Sequence, residues 1–360
     1  MEGLGVINPQ FWKGKRVLVT GHTGFKGAWL ALWLERLGAN VTGFSLGIPT
    51  EPSLFKAVSA HCKVTSIEGD IRDLQTLSRA VEDAKPELVF HLAAQSLVRT
   101  SYEDPVGTFA TNVLGTVHLF EAARRVPSVR TIVNVTSDKC YENREWHYAY
   151  RESDPFGGRD PYSCSKGCAE LVTSAYRQSF FTERSVGLAS VRAGNVIGGG
   201  DWSTDRLVPD CVRAFSQAKE VVIRNPAAIR PWQHVLEAIR GYLILGELLS
   251  QTPVHFSQGF NFGPDGDDAR PVSHVVETLA RGWGQGAKFR IEKPGEAQNP
   301  HEAHFLKLDN SLVRATLGWR PRLRLDDALA LTVEWYKAFY QGSDVYALSI
   351  SHLERVEAMR

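Results

Sequence analysis

The chain has 360 residues, of which 43% are hydrophobic and 22% are charged, a composition typical of globular domains. Its 41 basic and 40 acidic side chains leave a formal net charge of +1, which excludes a broad electrostatic attraction to nucleic acid or to an anionic membrane. No segment of the sequence approaches the roughly 18 consecutive apolar residues that span a bilayer, so we expect a cytoplasmic protein.

Short apolar runs in the first half of the chain predict β-strands at residues 16–20, 40–44, 87–93, 131–136 and 185–191. Helical patterns separate these runs, and such alternation predicts a parallel sheet covered by helices on both faces. The five cysteines are odd in number and have no CxxC spacing. That pattern favours neither a disulfide framework nor a zinc site, so we predict no metal.

The texture of the sequence changes near residue 194, where loops rich in Gly, Pro and Asp surround helices predicted at 210–218 and 235–249. We therefore predict an α/β fold with two parts. Residues 1–193 form a Rossmann-type doubly wound parallel sheet that binds a dinucleotide. Residues 194–360 form a smaller, loop-rich substrate domain, some of whose segments can cross back to the first part.

Three glycines follow the first predicted strand directly and precede the first predicted helix: Gly21, Gly24 and Gly27. Glycines at a strand-to-helix turn allow a close backbone approach, so that a pyrophosphate can lie against the helix N-terminus. The sequence therefore predicts a dinucleotide-binding loop here.

Tyr162 and Lys166 stand four residues apart, and Pro161 marks the start of a helix before them. Side chains at this spacing share one helix face. We expect the Lys166 ammonium to lower the pKa of the Tyr162 phenol from its usual value of about 10. A phenolate in this position would be a base for a sugar hydroxyl.

The glycine spacing GxxGxxG resembles that of the extended short-chain dehydrogenase/reductase family. Three later segments carry the same resemblance, around Asp70, at residues 91–95 and at residues 111–116, where the family has a structural Asn. The resemblance implies NAD as the cofactor, bound by Gly21, Thr23, Gly24, Phe25, Lys26, Gly27, Ser45, Asp70, Ile71, Leu92, Ala93, Ala94, Thr111, Tyr162 and Lys166. The residues alone leave NAD and NADP open, because Ser45 stands where an acid usually selects NAD.

The fifth strand ends in Ser137, which matches the family residue that bonds the reacting hydroxyl. Sugar-nucleotide 4,6-dehydratases place an ionisable pair directly after it, usually Asp-Glu, and this chain has Asp138 and Lys139. The resemblance implies catalysis by Ser137, Asp138, Lys139, Tyr162 and Lys166. We expect Asp138 to be the acid. Lys139 is either the base that removes the C5 proton or a cation that stabilises the enolate.

Further segments resemble the family's substrate half, and they imply contacts to a nucleotide sugar from Gln95, Ser96, Arg99, Ser137, Asn195, Arg206, Arg230 and His301. A guanidinium such as that of Arg230 suits a pyrophosphate. The wording at residues 136–139 and 230–234 resembles dehydratases that act on CDP-glucose, which implies this small-molecule substrate.

Several alternatives remain open at this point. A dehydratase of UDP-N-acetylglucosamine also uses an Asp-Lys pair, and a nucleotide-sugar 4-epimerase or a simple reductase needs Ser137, Tyr162 and Lys166 alone. A non-catalytic dinucleotide sensor would have no need of a phenolate base. The family resemblance also implies a homo-oligomer, because relatives dimerise through helices that include the Tyr-Lys helix.

Overall fold

The computed structural model describes residues 5–292 and 305–359. Its strands are β1 (Arg16–Thr20), β2 (Asn40–Ser45), β3 (Thr65–Glu68), β4 (Leu88–His91), β5 (Thr131–Val135), β6 (Gly187–Ala193), β7 (Val196–Ile197), β8 (Glu220–Ile223), β9 (Ile229–Pro231), β10 (Gln233–His234), β11 (Gly259–Phe262), β12 (Ala269–Pro271) and β13 (Lys288–Ile291). Seven of them form one sheet in the order β11-β6-β5-β4-β1-β2-β3, and all neighbouring pairs are parallel. The predicted doubly wound parallel sheet is confirmed.

The helices within the described residues are α1 (Pro9–Trp12), α2 (Phe25–Arg36), α3 (Leu54–Val58), α4 (Leu74–Ala84), α5 (Val98–Glu103), α6 (Pro105–Phe109), α7 (Gly115–Arg125), α8 (Pro161–Tyr176), α9 (Leu207–Ser216), α10 (Val235–Gln251), α11 (Pro253–Phe256), α12 (Val272–Trp283), α13 (Ser311–Leu317), α14 (Leu325–Tyr340) and α15 (Val345–Ala358). Two π-helical turns, Ala110–Leu114 and Arg177–Phe181, adjoin α7 and α8. In the described part of the chain, no helix has the length and apolar run that a membrane crossing requires.

The central strands are buried on both faces, which explains why they appear in the sequence as continuous apolar runs. In β1, Val17 and Val19 join the larger core cluster on one face of the sheet, while Leu18 joins a second cluster on the other face. Successive side chains of a strand point to opposite faces. One five-residue strand therefore contributes to both layers of helices.

The predicted strand at 87–93 ends at His91 in the structure. The next residues leave the ladder, because the Ala93 N–H donates to the side-chain hydroxyl of Thr20 at 3.2 Å instead of to a strand carbonyl. The helix predicted at 210–218 spans Leu207–Ser216, and the one predicted at 235–249 extends to Gln251. Element types were predicted more accurately than their ends.

The chain after residue 193 contributes to two regions of the molecule. Short two-stranded sheets pair β7 with β10, β9 with β12 and β8 with β13 beside the large sheet. In contrast, α10 packs against α2, β5 and β6, and β11 pairs with β6 at the edge of the large sheet. The predicted division at residue 194 stays a prediction, and a cut there would remove the seventh strand from the sheet.

Candidate active site

A cavity of about 1440 Å³ lies at the carboxyl ends of the central strands. The strand order reverses between β1 and β4, and open α/β sheets bind ligands at such a switch point. Residues from both parts of the chain line the cavity, from the loop after β1 to the segment around Arg230. The fold thus places the predicted loops around one space.

The glycine loop fits a dinucleotide. Gly21 has φ +75°, and a Cβ there would lie 2.8 Å from the Ala93 backbone nitrogen. A Cβ at Gly27 would lie 2.0 Å from the Gly21 carbonyl oxygen. Gly24 caps α2 without a side-chain hydrogen bond, so the first N–H groups of the helix face the cavity side of the turn without a competing side chain. Such free N–H groups are a site for a pyrophosphate.

The end of β2 explains the missing acid. Ser45 Oγ lies 2.8 Å from Nδ1 of His22, and Nε2 of the same ring lies 2.8 Å from Ser66 Oγ. Burial lowers the pKa of His22 to about 4, so the ring is neutral. A Cβ on Gly43 would lie 2.2 Å from this ring. His22 was not predicted, and the glycine at position 43 was the only local signal for it.

Asp70 lines the same end of the cavity and pairs with Arg72, whose Nη2 lies 2.6 Å from Asp70 Oδ2. The hydrogen bond from Arg72 holds the pKa of Asp70 below its ordinary value. Arg72 also lines the cavity, although the sequence analysis did not single it out. The remaining predicted cofactor residues line it as well, namely Thr23, Phe25, Lys26, Ile71, Leu92, Ala93, Ala94 and Thr111.

The catalytic candidates converge where β5 meets α8. Ser137 caps the short 3₁₀ turn that follows β5, and its Oγ accepts the Lys139 N–H at 3.2 Å and donates to Asp138 Oδ1 at 3.0 Å. Tyr162 and Lys166 are both buried on α8, and a hydrogen bond joins the Tyr162 phenol to Ser137. All five predicted catalytic residues line the cavity.

The pKa expectation for Tyr162 was wrong in the structure as it stands. Burial raises the pKa of Tyr162 to about 12, because desolvation outweighs the hydrogen bond from Ser137. Burial also lowers the pKa of Lys166 to about 8, and its Nζ lies 6.0 Å from the Tyr162 ring centroid. A lysine at this distance, weakened by desolvation itself, does not offset the cost of burying a phenolate.

Asp138 is buried, and its Oδ2 has no hydrogen-bond partner in the described part of the chain. Burial raises the pKa of this carboxyl, while Lys139, the hydrogen bond from Ser137 and the charges of Arg230 and Lys26 act in the opposite direction. A buried carboxyl with an unengaged oxygen can carry a proton into a reaction. This environment favours the role of an acid.

The predicted substrate residues lie along the cleft. Arg206 bridges its two sides, because it donates to Asp201 Oδ2 at 2.9 Å and to Ser96 Oγ at 3.0 Å. Arg99 lies 3.4 Å from Asp205. Asn195 and Arg230 also line the cavity, whereas His301 lies outside the described residues.

The Gln95 side chain makes its hydrogen bonds within its own loop. Its amide nitrogen donates to Thr108 Oγ1 at 2.9 Å, and its oxygen accepts the Leu97 N–H at 2.6 Å. The backbone of Gln95 is bonded on both sides by Asn112, whose amide also donates to Ser165 Oγ at 2.9 Å. Gln95 lines the cavity, but these bonds make it a loop-shaping residue, and its substrate contact stays a prediction.

A buried ion pair behind the site was not predicted. Glu170 and Arg192 side chains are 2% and 3% exposed and are joined by two hydrogen bonds of 2.8 and 2.9 Å. Glu170 also accepts from Thr136 at 2.5 Å and from Ser190 at 2.6 Å. The signal in the sequence is the spacing of Tyr162, Lys166 and Glu170, because residues four apart share one helix face.

The ion pair yields a stability prediction. Arg192→Met should lower the free energy of unfolding by about 3–5 kcal/mol, since it leaves the Glu170 carboxylate buried without its counter-ion. Urea unfolding followed by circular dichroism measures the change. As a control, Arg151→Met removes a guanidinium whose side chain is 72% exposed and should change stability by less than about 0.5 kcal/mol. A loss below about 1 kcal/mol in Arg192→Met would contradict the structural role.

Comparisons with known proteins bear on the whole chain. The model of the family described as GDP-mannose 4,6 dehydratase matches residues 18–332. A CDP-glucose 4,6-dehydratase of Salmonella typhimurium is 53% identical over 349 residues, which cover 96% of each chain. A UDP-glucose 4-epimerase of Mycolicibacterium smegmatis is 28% identical over 89% of this chain and 98% of its own.

Two solved structures show the same fold. MoeE5 in complex with UDP-glucose and NAD superposes with a TM-score of 0.74 at 25% identity, over 91% of this chain and 99% of that one. A dTDP-glucose 4,6-dehydratase from Bacillus anthracis in complex with NAD gives a TM-score of 0.74 at 19% identity, over 91% and 98%.

Proposed function

The chain belongs to the GDP-mannose 4,6-dehydratase family, and from that membership we propose that it converts CDP-glucose to CDP-4-keto-6-deoxyglucose with NAD. The choice of CDP-glucose rests on the relative that is 53% identical. One observation carries the dehydration: Asp138 and Lys139 follow Ser137 in the cavity that also contains Tyr162 and Lys166. A 4-epimerase has no use for a buried acid at that point.

The glycine loop, the end of β2 and Asp70 would hold NAD, with the pyrophosphate at the N-terminus of α2. When bound, NAD supplies a positively charged acceptor that takes the C4 hydrogen as hydride and returns it to C6. Added positive charge also lowers the pKa of a phenol, which is the change that Tyr162 needs before it can act as a base.

In the first step, Tyr162 takes the proton of the C4 hydroxyl, and Ser137 orients that hydroxyl by a hydrogen bond. Lys166, buried on the same face of α8, supplies the nearby positive charge that stabilises the phenolate. The resulting 4-ketone makes the hydrogen at C5 acidic. These three residues would serve an epimerase equally well, so they account for the oxidation only.

In the second step, Lys139 removes the C5 proton, and Asp138 donates its proton to the departing C6 hydroxyl, which leaves as water. The elimination forms a double bond between C5 and C6. Asp138 must be protonated beforehand, and its burial favours that form. Reduction at C6 and return of a proton to C5 then give the 4-keto-6-deoxy sugar, so the cofactor ends in its starting state.

The diphosphate of the substrate would lie between the two sides of the cleft. Arg230 is the proposed ligand, because a guanidinium forms paired hydrogen bonds to phosphate oxygens. Arg206 and Asn195 line the same cavity and complete the proposed group. Cytosine recognition is proposed from the relative alone.

The proposed activity has a direct test. The protein, incubated with NAD and CDP-glucose, should form a product with the alkali-induced absorbance of a 4-ketosugar, whereas UDP-glucose and UDP-N-acetylglucosamine should give little or none. Tyr162→Phe should abolish the signal, since it removes the base. Product from UDP-N-acetylglucosamine instead would replace the substrate, and no product from any of the three would favour a dinucleotide sensor.

The role of Lys139 is tested separately. Lys139→Ala should still oxidise C4, seen as absorbance of the reduced cofactor, but should lose exchange of the C5 hydrogen with solvent deuterium, seen by mass spectrometry. Lys13→Ala, at an exposed lysine far along the chain, serves as the control. Normal exchange in Lys139→Ala would show that another group moves the proton and that Lys139 acts as a cation.

We also propose that the protein is a homo-oligomer that associates through the α5, α6 and α8 side of the sheet. Large apolar side chains are exposed there, namely Tyr102, Val106, Leu114, Leu171 and Phe180. Clustered apolar exposure of this kind is typical of an interface between proteins.

Leu171, 59% exposed on α8, offers a test of this interface. Leu171→Glu should shift the protein toward monomer in sedimentation velocity, because it buries an unpaired charge in the contact. Val254→Glu, at a residue 82% exposed on α11, should leave the distribution unchanged. Equal behaviour of the two variants would place the interface elsewhere.

A further inference from the structure

Lys26 lies in the first turn of α2, and its side chain lines the cavity. No hydrogen bond or carboxylate within ion-pair distance engages its ammonium among residues 5–292 and 305–359. The ammonium lies 5.9 Å from the ring centroid of Tyr242, a fully buried residue of α10. A cation over an aromatic face is attracted to it. The ring therefore helps to hold the ammonium at the floor of the cavity.

The charges around Lys26 belong to the catalytic group. Burial lowers the pKa of Lys26 to about 8, and the positive charges of Arg206 and Lys166 add to this effect, whereas Asp138 opposes it. The interaction is mutual, because Lys26 in turn lowers the pKa of Asp138. Lys26 and Asp138 are therefore electrically coupled although no ion pair joins them.

Tyr242 marks the place where the two groups meet. Its phenol is close enough to Asp138 for that carboxylate to raise the pKa of the phenol, and its ring carries the Lys26 ammonium. The Tyr242 hydroxyl and Asp138 Oδ2 are both buried and without hydrogen-bond partners in the described residues. Behind Asp138 there is thus a polar pocket that contains one nearby cation.

The structure assigns to Lys26 the role of a positioning residue of the dehydration step: its ammonium, held against Tyr242, determines how readily Asp138 releases its proton to the departing C6 hydroxyl. This inference rests on the proposed function. It goes beyond the predicted place of Lys26 in the cofactor loop, because the partner is the acid and not the dinucleotide.

The argument depends on what surrounds Asp138. A fully desolvated carboxyl holds its proton too firmly to give it up, and nearby cations correct this. The ionisable groups coupled to Asp138 are Lys139, Arg230, Lys26, Tyr162, Tyr242 and Cys140. Among the three cations, Lys139 has the proposed role of base and Arg230 that of diphosphate ligand. Their charges therefore change or are engaged during turnover, while Lys26 supplies a charge that reaches Asp138 throughout.

The test measures Asp138 directly. In the protein without substrate, the band of the protonated Asp138 carboxyl is followed by infrared spectroscopy against pH and identified by its loss in Asp138→Asn. Removing a nearby cation raises the pKa of a carboxyl, so Lys26→Met should move the midpoint upward by about one pH unit. Lys26→Arg keeps the charge and should keep the midpoint. Lys56→Met, at a lysine 51% exposed, controls for the loss of one surface charge.

The second readout is the pH profile of CDP-glucose dehydration. Activity is lost at high pH when Asp138 loses its proton, so the high-pH limb of Lys26→Met should move in the same direction as the infrared midpoint. An unmoved midpoint would overturn the inference, as would a moved midpoint with an unmoved limb, or a shift in Lys26→Arg as large as in Lys26→Met.

Two further outcomes have separate meanings. If Lys26→Met only raises the NAD dissociation constant, measured by calorimetry, with midpoint and limb in place, Lys26 is a phosphate ligand and the inference fails. If the unmodified protein does not dehydrate CDP-glucose at all, the proposed function fails, whatever the infrared midpoint shows.

Discussion

Glu170 and Arg192 form an ion pair that joins the catalytic helix to the sheet. Glu170 lies on α8, two turns after Tyr162, and Arg192 lies on β6, while Thr136 at the end of β5 donates to the same carboxylate. Buried charges are tolerated only when paired and hydrogen-bonded. The geometry that satisfies Glu170 therefore also determines how far Tyr162 and Lys166 stand from Ser137 and Asp138. The rest of the site depends on this contact.

The same ion pair reaches the second half of the chain. Arg192 donates to the Tyr141 hydroxyl at 2.6 Å, and that hydroxyl donates to Asn261 on β11 at 2.7 Å. The seventh strand, contributed by the later sequence, is thereby connected to the segment that follows Asp138. Substrate and cofactor parts of the chain are held in register by one buried polar network, in which each member has its partners.

Chemistry in this cavity depends on how one acid is balanced among several cations. Asp138 is buried beside Lys139, Arg230 and Lys26, so desolvation and charge act on it in opposite directions. A 4-epimerase that needs only Ser137, Tyr162 and Lys166 would gain nothing from this arrangement. The balance around Asp138 is the feature that suits the fold to elimination of water, and Lys26 extends it to the glycine loop.

The sequence by itself determined the local features: the glycine turn, the Tyr-Lys spacing on one helix face and the Ser-Asp-Lys order at a strand end. These are set by residues close together in the chain, where backbone periodicity governs which side chains meet. Only the tertiary structure decided the neutral state of His22 beside Ser45, the raised pKa of Tyr162, the partners of Glu170 and the return of β11 to the sheet. Each of these depends on burial or on a contact between distant residues, and neither desolvation nor long-range pairing is encoded in local spacing.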